Sequence, residues 1–565
     1  MDKEMQRNLV LACVLTVVIT VVWGMLSQKQ KPQQVPSELD EPPVTRVQEP
    51  DRRTDLAPPA EKTPAPEPQV DVREEEERAR DVVVETPLVK ATLTSLGARV
   101  KSIKLKDFSY KNDDWVDVVP QYEEYDGDLP LSMALHEDLG GDVLNRLAFE
   151  VEQDGYDVRF TKELSNGLLV TKKFRFNEDD YGIGLTVSIE NRGESMVYVG
   201  MDEEPSYVLW WGPGIEKMES DRYNRVLFAA IDEGKFLHKY EDRIKSVQTY
   251  RSLSWLGLKS RYFTVVLVPL ASPAIGQVLP MESNEIAFEL LAPSFRLDPG
   301  EIKQNEYCIY AGPQEMALLK EVGHQLELAV NFTGFDPLAK VMLKVLKLCY
   351  KVVPNYGIGI ILLTILVRLV LYPLTHKSMQ SMKKMQELQP EMAKFKEKYK
   401  DNPQELNKKM MEFYKERGVN PMGGCLPMML QMPIWFALFG MLRGAIELRD
   451  APFFGWITDL SEPDTIATLP WDLPFFRNEV HVLPLLMAAA MFFQQKLASP
   501  GGTAQTEQQK MMMFMFPVMF GFLFYHMPSG LCLYIFVSSL LYFGQQIVTN
   551  KGHLFRRGGQ AAAAK

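Results

Sequence analysis

Cysteine is scarce in this chain, with five in 565 residues, and those five are scattered. Cys13, Cys425 and Cys532 fall in or beside apolar runs, and Cys349 falls in an amphipathic stretch. Only Cys308 lies in the long polar region, so no disulfide can form within it. No pair has metal-ligand spacing, and structural burial is the expected role of all five. A glycine-rich phosphate loop is also missing, which removes nucleotide-driven chemistry. Acidic residues are plentiful, yet no two stand apart as a catalytic acid and base. No cofactor is expected, and the chain is not expected to be an enzyme. Long apolar runs are likewise rare in the first half: residues 1–335 hold one, whereas residues 336–565 hold a cluster. A mean hydropathy of −0.13 and 24% charged residues average over these two unlike halves.

The first run, Leu9–Leu26, has eighteen residues without a charge. It is too long for most signal-peptide cores and no small-x-small cleavage pattern follows, so it reads as a membrane anchor. Later runs are Tyr356–Leu374, Cys425–Leu442, Val482–Phe493, Met511–Tyr525 and Leu531–Phe543. The last three are short against the ~20 residues that a hydrocarbon core requires. They are buried or re-entrant segments, or they are crossings that thin the bilayer around them. The alternating charge of the stretches between them favours crossings, six in all.

Arg368 stands inside the second run. An arginine at that depth costs at least about 2.5–3.5 kcal/mol on insertion scales, so a chain retains one where water or a partner meets it. Helical spacing puts Gly357, Ile361, Thr364, Arg368 and Tyr372 on one face. The alternative is snorkelling to the nearer interface. Eight residues separate Arg368 from His376, roughly 12 Å at 1.5 Å per residue, which is long for snorkelling alone. A wet cavity is the favoured reading. Gln431 in the third span, and Ser538 and Ser539 in the sixth, are candidates to line it. Serine often bonds only its own helix backbone, so the two serines are the weaker candidates.

Charge orients the bundle. Segment 377–419 has eleven Lys/Arg against seven Asp/Glu, loop 444–480 has two against seven, and tail 551–565 has four basic residues and no acidic one. The first and last of these are expected in the cytoplasm, with the acidic loop and the large polar region outside. Both termini are then cytoplasmic, and the net charge of −11 belongs mainly to the exported face.

The expected order of parts is an anchor (1–27), a linker (28–81), an exterior β domain (82–335), an interfacial helix (336–355) and the second span (356–376). A cytoplasmic hairpin (377–419), spans three to six with their loops (420–550) and a basic tail (551–565) follow. The linker holds ten prolines between residues 28 and 70 and cannot bury a core. The charge run Arg73–Arg80 continues it as a solvated stretch. In the β domain, residues 88–105 alternate around Gly97, and residues 168–190 read as two strands joined at Asn177-Glu178-Asp179-Asp180. Some 230 residues of this kind suggest a large β-sandwich. Trp210-Trp211-Gly212-Pro213-Gly214 is a sugar platform or, the favoured reading, a packed core corner. Asp336 is the expected N-cap of the interfacial helix with Pro337 first inside it, and Lys340, Lys344, Lys347 and Lys351 share one face. Leu338, Val341, Val345, Leu348 and Val352 lie opposite or flanking. In the hairpin, Asn402 caps a helix beginning at Pro403, and Pro390 kinks or restarts the one before it. Met379, Met382 and Met385 follow at three-residue steps, either as an adaptable apolar surface or as hairpin packing.

The motifs TILVRLVLYPLT (364–375), VNPMGGCLPMMLQMPIWFAL (419–438), ELRDAPFFGWITDLSEPD (447–464), FFQQKL (492–497) and MPSGLCLY (527–534) closely resemble those of the YidC-type membrane protein insertases. The form resembled is the long Gram-negative one with a periplasmic domain. The resemblance implies a multi-domain protein: a polytopic bundle with a five-helix insertase core plus an N-terminal anchor helix, and a periplasmic all-β supersandwich. It implies insertion, folding and assembly of inner-membrane proteins, alone or beside the Sec translocon, in the bacterial inner membrane. Nascent membrane proteins and the lipid bilayer are the implied partners, the ribosome a further one, and no DNA. A hydrophilic groove is implied, with Arg368 as its single intramembrane charge, Thr364 beside it and Tyr534 from the sixth span; Gln431 and Ser538 complete the groove set. Ile535 stands where some relatives carry a second tyrosine. A greasy slide on the third and fifth spans is implied over 428–439 and 511–522, with Met428, Met432, Trp435, Phe439, Met512, Phe516 and Met519 as its residues. Two other classes stand beside this: a solute transporter, against which the single buried charge and the lack of inverted repeats argue, and a membrane-tethered carbohydrate-binding domain.

Overall fold

The structure is a computed structural model. It describes residues 72–563 apart from 111–113, 122–126, 201–203, 217–224, 272, 282–284, 333, 400–401, 419–425, 474–476 and 499–506. The expected anchor, nearly all of the proline-rich linker, Cys13 and Cys425 lie outside the described residues.

The polar half is built from antiparallel strands. Four form a meander (Asp81–Glu85, Val89–Thr94, Arg99–Ser109, Trp115–Asp117), and thirteen form one long sheet. Period-two patterning explains why: Leu168–Phe176 and Gly182–Asn191 alternate buried and partly exposed positions along their length. These two pair from Leu168↔Asn191 to Phe176↔Ile183. The acidic turn between them closes where Asp180 Oδ1 accepts from Gly182 N (2.6 Å) and from Asn177 Nδ2 (2.8 Å). Gly97 carries the chain between two strands of the meander at φ +72°, with Asn145 Cα only 2.8 Å from where a Cβ would stand. One continuous apolar core spans both sheets, from Val84 and Leu105 to Phe160, Trp211 and Trp255. Trp211 is fully buried there, as a core corner requires, while Trp210 is half-buried.

The charge run at the start of the described chain is solvated as expected, with Arg73, Glu74, Glu76, Glu77, Arg78 and Arg80 exposed, but it is ordered as a helix rather than continuing the linker. Val72–Arg78 forms a helix (α1), tied to the sheet through Glu75. Its carboxylate accepts from Ala148 N (2.6 Å) and Lys162 Nζ (3.1 Å). Burial opposes ionisation, but these donors outweigh it and hold the Glu75 carboxyl below its usual range.

Met316–Val322 (α2) leads out of the β domain to the helical half. There Asp336–Val352 (α3) lies against a bundle of Tyr356–Lys398 (α4), Leu426–Gly444 (α6), Leu483–Ala498 (α7) and Ser529–Ala563 (α9). Pro403–Glu416 (α5) pairs with α4, and Glu507–Leu523 (α8) with α7. In α3 the N-cap is Phe335, and Asp336 is the first helical residue. Its carboxylate turns back to accept from Phe332 N (3.0 Å) and pairs with Lys340 (2.9 Å). The helix docks through Ala339, Met342, Leu343 and Leu346, while Val341, Leu348 and Val352 stand exposed on another side. The second span and the first hairpin helix are one helix, α4, which continues past both Pro373 and Pro390. Each proline removes a single N–H from a ladder of 43 residues, and the turns on either side carry the helix through. Asn402 does cap α5, its side chain accepting from Glu405 N with Pro403 in the first turn.

By length and composition, two described helices are able to cross a membrane: Tyr356–Met385 and Ser529–Val548. Phe514–Leu523 is a shorter apolar stretch.

Two arginines fasten the halves together. Arg261 of the β domain donates to Arg443 O and Ser461 O (2.8 Å each) and pairs with Glu462 (3.3 Å). In the opposite direction, Arg449 from the loop after α6 donates to Ser109 O (2.5 Å) and packs over the rings of Phe108, Tyr262 and Phe263. Ile446 of the same loop belongs to the β-domain core. Lys347 of α3 bridges Glu315 and Glu447 (2.9 and 3.1 Å). Gly357 is glycine for a packing reason, since a Cβ there would stand 2.0 Å from the Phe453 ring.

Candidate functional site

Arg368 sits on α4 facing α9. Its Nε donates to Ser538 Oγ (3.1 Å), and Nη2 donates to Ser538 Oγ (2.5 Å) and Ser538 O (3.0 Å). The guanidinium carbon lies 5.5 Å from the centre of the Tyr542 ring. Among the described residues no carboxylate pairs with it, and Nη1 makes no hydrogen bond. A guanidinium has five donors, so much of its capacity is unspent.

Tyr534 and Ser538 are buried one turn apart on α9. The Tyr534 hydroxyl accepts from Gln431 Nε2 of α6 at 3.3 Å, bringing a third helix to the seam. Toward the other end, Gln545 Nε2 donates to Thr375 Oγ1 (3.1 Å). A polar stripe on α9 (Tyr534, Ser538, Tyr542, Gln545) thus faces one on α4. Thr364 is fully buried in this seam, but its hydroxyl donates to Ile360 O of its own helix (2.6 Å). The two serines divide: Ser538 is the main partner of Arg368, while Ser539 is buried beside it with no such bond. Tyr542 was not among the expected residues, although it lies four after Ser538, one helical turn on the same face. The face expected on α4 grades from buried Thr364 through Arg368 to exposed Tyr372, while Leu366, Leu369 and Val370 form an outward apolar stripe.

The apolar candidates split into two groups. Phe516, Phe520 and Phe524 stack along α8 and its end (4.5 and 5.6 Å between centres), and Trp435 of α6 meets Phe524 at 6.1 Å. Trp435 also stacks on Phe439 (5.7 Å), so Phe516, Trp435 and Phe439 belong to one aromatic ladder joining α8 to α6. Met519 instead lies on the outward face of α8 with Phe514, Val518 and Phe522. Met432 is half-buried on α6; the side chains of Met428 and Met512 lie outside the described residues. In the hairpin, Met379 is buried and Met382 and Met385 are half-buried, while Met411 on α5 is exposed. The hairpin closes through Arg417–Glu391 (2.8 Å) and Tyr414 OH to Met392 Sδ (3.5 Å).

Fold and site together define a helical membrane protein carrying a β-rich domain outside the bilayer, with a polar seam and a guanidinium that has no acidic partner among the described residues. Two family models divide the chain between them: residues 81–345 match the YidC periplasmic domain, and residues 348–556 match the 60Kd inner membrane protein. The chain belongs to the YidC family of membrane protein insertases. The membrane protein insertase YidC of Pelobacter propionicus is 34% identical over 499 residues, covering 84% of this chain and 87% of that one. That of Geobacter metallireducens is 32% identical over 559 residues, covering 97% and 98%. The crystal structure of an active YidC insertase with its first transmembrane domain resolved covers 83% of this chain and 92% of that one, at 20% identity and a TM-score of 0.35. The β-rich half is therefore the periplasmic domain of an inner-membrane protein.

Proposed function

We propose that this insertase accepts the polar, acidic end of a client protein at the seam between α4 and α9, where Arg368 pairs with it transiently. The single observation that carries this reading is the state of that guanidinium: held from one side by Ser538, it has no carboxylate partner among the described residues. A charge in such surroundings is costly unless paired, and a visiting carboxylate supplies the pair. Thr364, Gln431, Tyr534 and Ser538 form the walls of the groove. The client's apolar segment then leaves along α8 and α6, past the outward face of Phe514, Val518, Met519 and Phe522. Transfer of that segment to lipid, at about 25 cal/mol per Å², drives the step without any bond being made.

The short helices support a thinned bilayer. Within the described residues α7 and α8 have 16 and 17 residues, roughly 24–26 Å of helix against a hydrocarbon core of about 30 Å. Six crossings around a five-helix core, both termini in the cytoplasm and a periplasmic β supersandwich complete the reading, with the Sec translocon and the ribosome as partners of the same process. The hairpin methionines offer client segments an adaptable cytoplasmic surface, with Met411 its most exposed member.

In vesicles reconstituted with the full chain, Arg368→Ala should lower insertion of a single-span client with an acidic tail about tenfold, the worth of one charge-assisted hydrogen bond. Arg368→Lys should retain more activity than Arg368→Ala. Insertion unchanged in both variants would remove Arg368 from the mechanism.

A further inference from the structure

Where the periplasmic domain meets the bundle there is a cavity of about 490 Å³, within the range of small-molecule sites. It begins at the end of α6, with Phe439 and Arg443, and runs past Phe332 to Arg225, Lys259 and Arg261 of the β domain. Two of these cations are almost wholly enclosed. Lys259 is 6% exposed and its ammonium donates to Ala329 O at 2.6 Å. The Arg261 side chain is 8% exposed and is spent on the loop after α6. Arg225 pairs with Glu241 and Asp242 and lies over the Tyr240 ring. Of the neighbouring carboxylates, Glu462 is engaged by Arg261 and Asp336 by Lys340, while Glu241 pairs through Oε1 and its buried Oε2 has no hydrogen bond among the described residues. Burial pushes the Lys259 ammonium down to about 8, with Asp336 opposing and Lys340 adding to the shift.

Polarity changes along the cavity. One wall, Phe439, continues the apolar surface of a membrane helix; the far end is a buried ammonium with nothing anionic bonded to it. We propose that this cavity holds the phosphate headgroup of an anionic phospholipid from the periplasmic leaflet, with Lys259, Arg225 and Arg443 around the phosphate and Phe332 and Phe439 beside the first acyl carbons. A phosphodiester matches the cationic end, and its chains match the apolar mouth. Free phosphate would satisfy only the first. The bound lipid would act as a wedge between domain and bundle at the point where Arg261 and Arg449 already join them.

The test uses delipidated full-length protein in detergent, with phosphatidylglycerol or phosphatidylcholine added and retained lipid read by native mass spectrometry. Phosphatidylglycerol should be retained preferentially, and Arg443→Gln and Arg225→Gln should each weaken retention about fivefold, as expected for one basic group near an anionic lipid. Lys259→Met should do the same if it folds, which its thermal transition reports; if it does not fold, the two arginine variants decide. Equal retention of the two lipids, or retention indifferent to all variants that fold, overturns the proposal. Displacement of phosphatidylglycerol by millimolar inorganic phosphate also overturns it, in favour of a free-anion site.

Discussion

Each half of the molecule holds a cation, fully buried in one and half-buried in the other, with no acidic partner in bonding distance among the described residues, and the two are treated differently. In the periplasmic domain Lys172 is fully buried, and its ammonium donates to Leu131 O (2.7 Å), Gly97 O (3.2 Å) and Ala98 O (3.3 Å). Three donors meet three carbonyls, so nothing is left over. In the bundle, Arg368 spends its hydrogen bonds on a single serine and retains Nη1 unbonded among the described residues. A saturated cation is a fastener, here holding two loops onto the long sheet. An unsaturated one has capacity left for a visiting anion, the role proposed here for Arg368. The two differ in coordination as well as in burial, and on the reading proposed above that difference separates a structural charge from a functional one.

The largest expected effect tests the fastener. Lys172→Ala leaves three buried carbonyls without a donor and a void where the side chain ran, which should cost about 3–5 kcal/mol. Thermal unfolding of the full chain should show the β-domain transition falling by several degrees, whereas Arg368→Ala should scarcely move any transition. If Arg368→Ala proved equally destabilising, the guanidinium would be a fastener too, and the contrast would fail. An intermediate effect is expected at Ser538. Ser538→Ala removes two of the three bonds that orient Arg368 while leaving the charge in place. Insertion of acidic-tailed clients should fall about fivefold, less than for loss of the charge itself, because one ordinary hydrogen bond contributes about 1 kcal/mol. A loss as large as that of Arg368→Ala would mean that orientation, not charge, is the working quantity.

Much of this contrast was legible before any coordinates. Arg368 stood out because a charge in an apolar run has few explanations, and Asn402-Pro403 announced a helix start through side-chain chemistry alone. Strands 168–176 and 182–191 were visible because their two faces differ. Lys172 was invisible: it sits in an alternating strand among charged neighbours, and nothing local says that two loops from distant sequence close over it. Tyr542 had a local signal, the four-residue step from Ser538, but an aromatic in a membrane helix looks like lipid-facing filler. Helix α1 was missed because Arg73–Arg80 is charged throughout; its order comes from the contacts of Glu75 with Ala148 and Lys162, some seventy residues or more away in sequence. The joint was illegible for the same reason, since Arg261 and Arg449 find partners about 180 and 340 residues distant. At Pro390 the helix runs on rather than restarting, because continuity on both sides outweighs one missing donor.

The smallest effect comes from pH and separates two buried groups by their windows. Burial raises the Glu216 carboxyl from 4.5 to about 7, with Ser260 and Arg449 pulling the other way. Its folded form therefore holds a proton that the unfolded chain has lost, so its contribution is complete below 4.5 and disappears as pH rises through 7. Lys172 behaves oppositely. Burial lowers it from 10.5 to about 7, helped by Arg99 and opposed by Asp128. Below 7 it is protonated in both states and adds no slope; above 7 the unfolded chain binds more protons, and stability rises toward 10.5. β-domain stability should thus decline from pH 5 to 7 and recover above it. Glu216→Gln should flatten only the acid limb, and hydrogen exchange in the strand Tyr207–Trp211 as a function of pH would read it. An unaltered acid limb in Glu216→Gln would mean that Arg449 keeps the carboxylate ionised, making this contact an ion pair across the joint rather than a buried neutral acid.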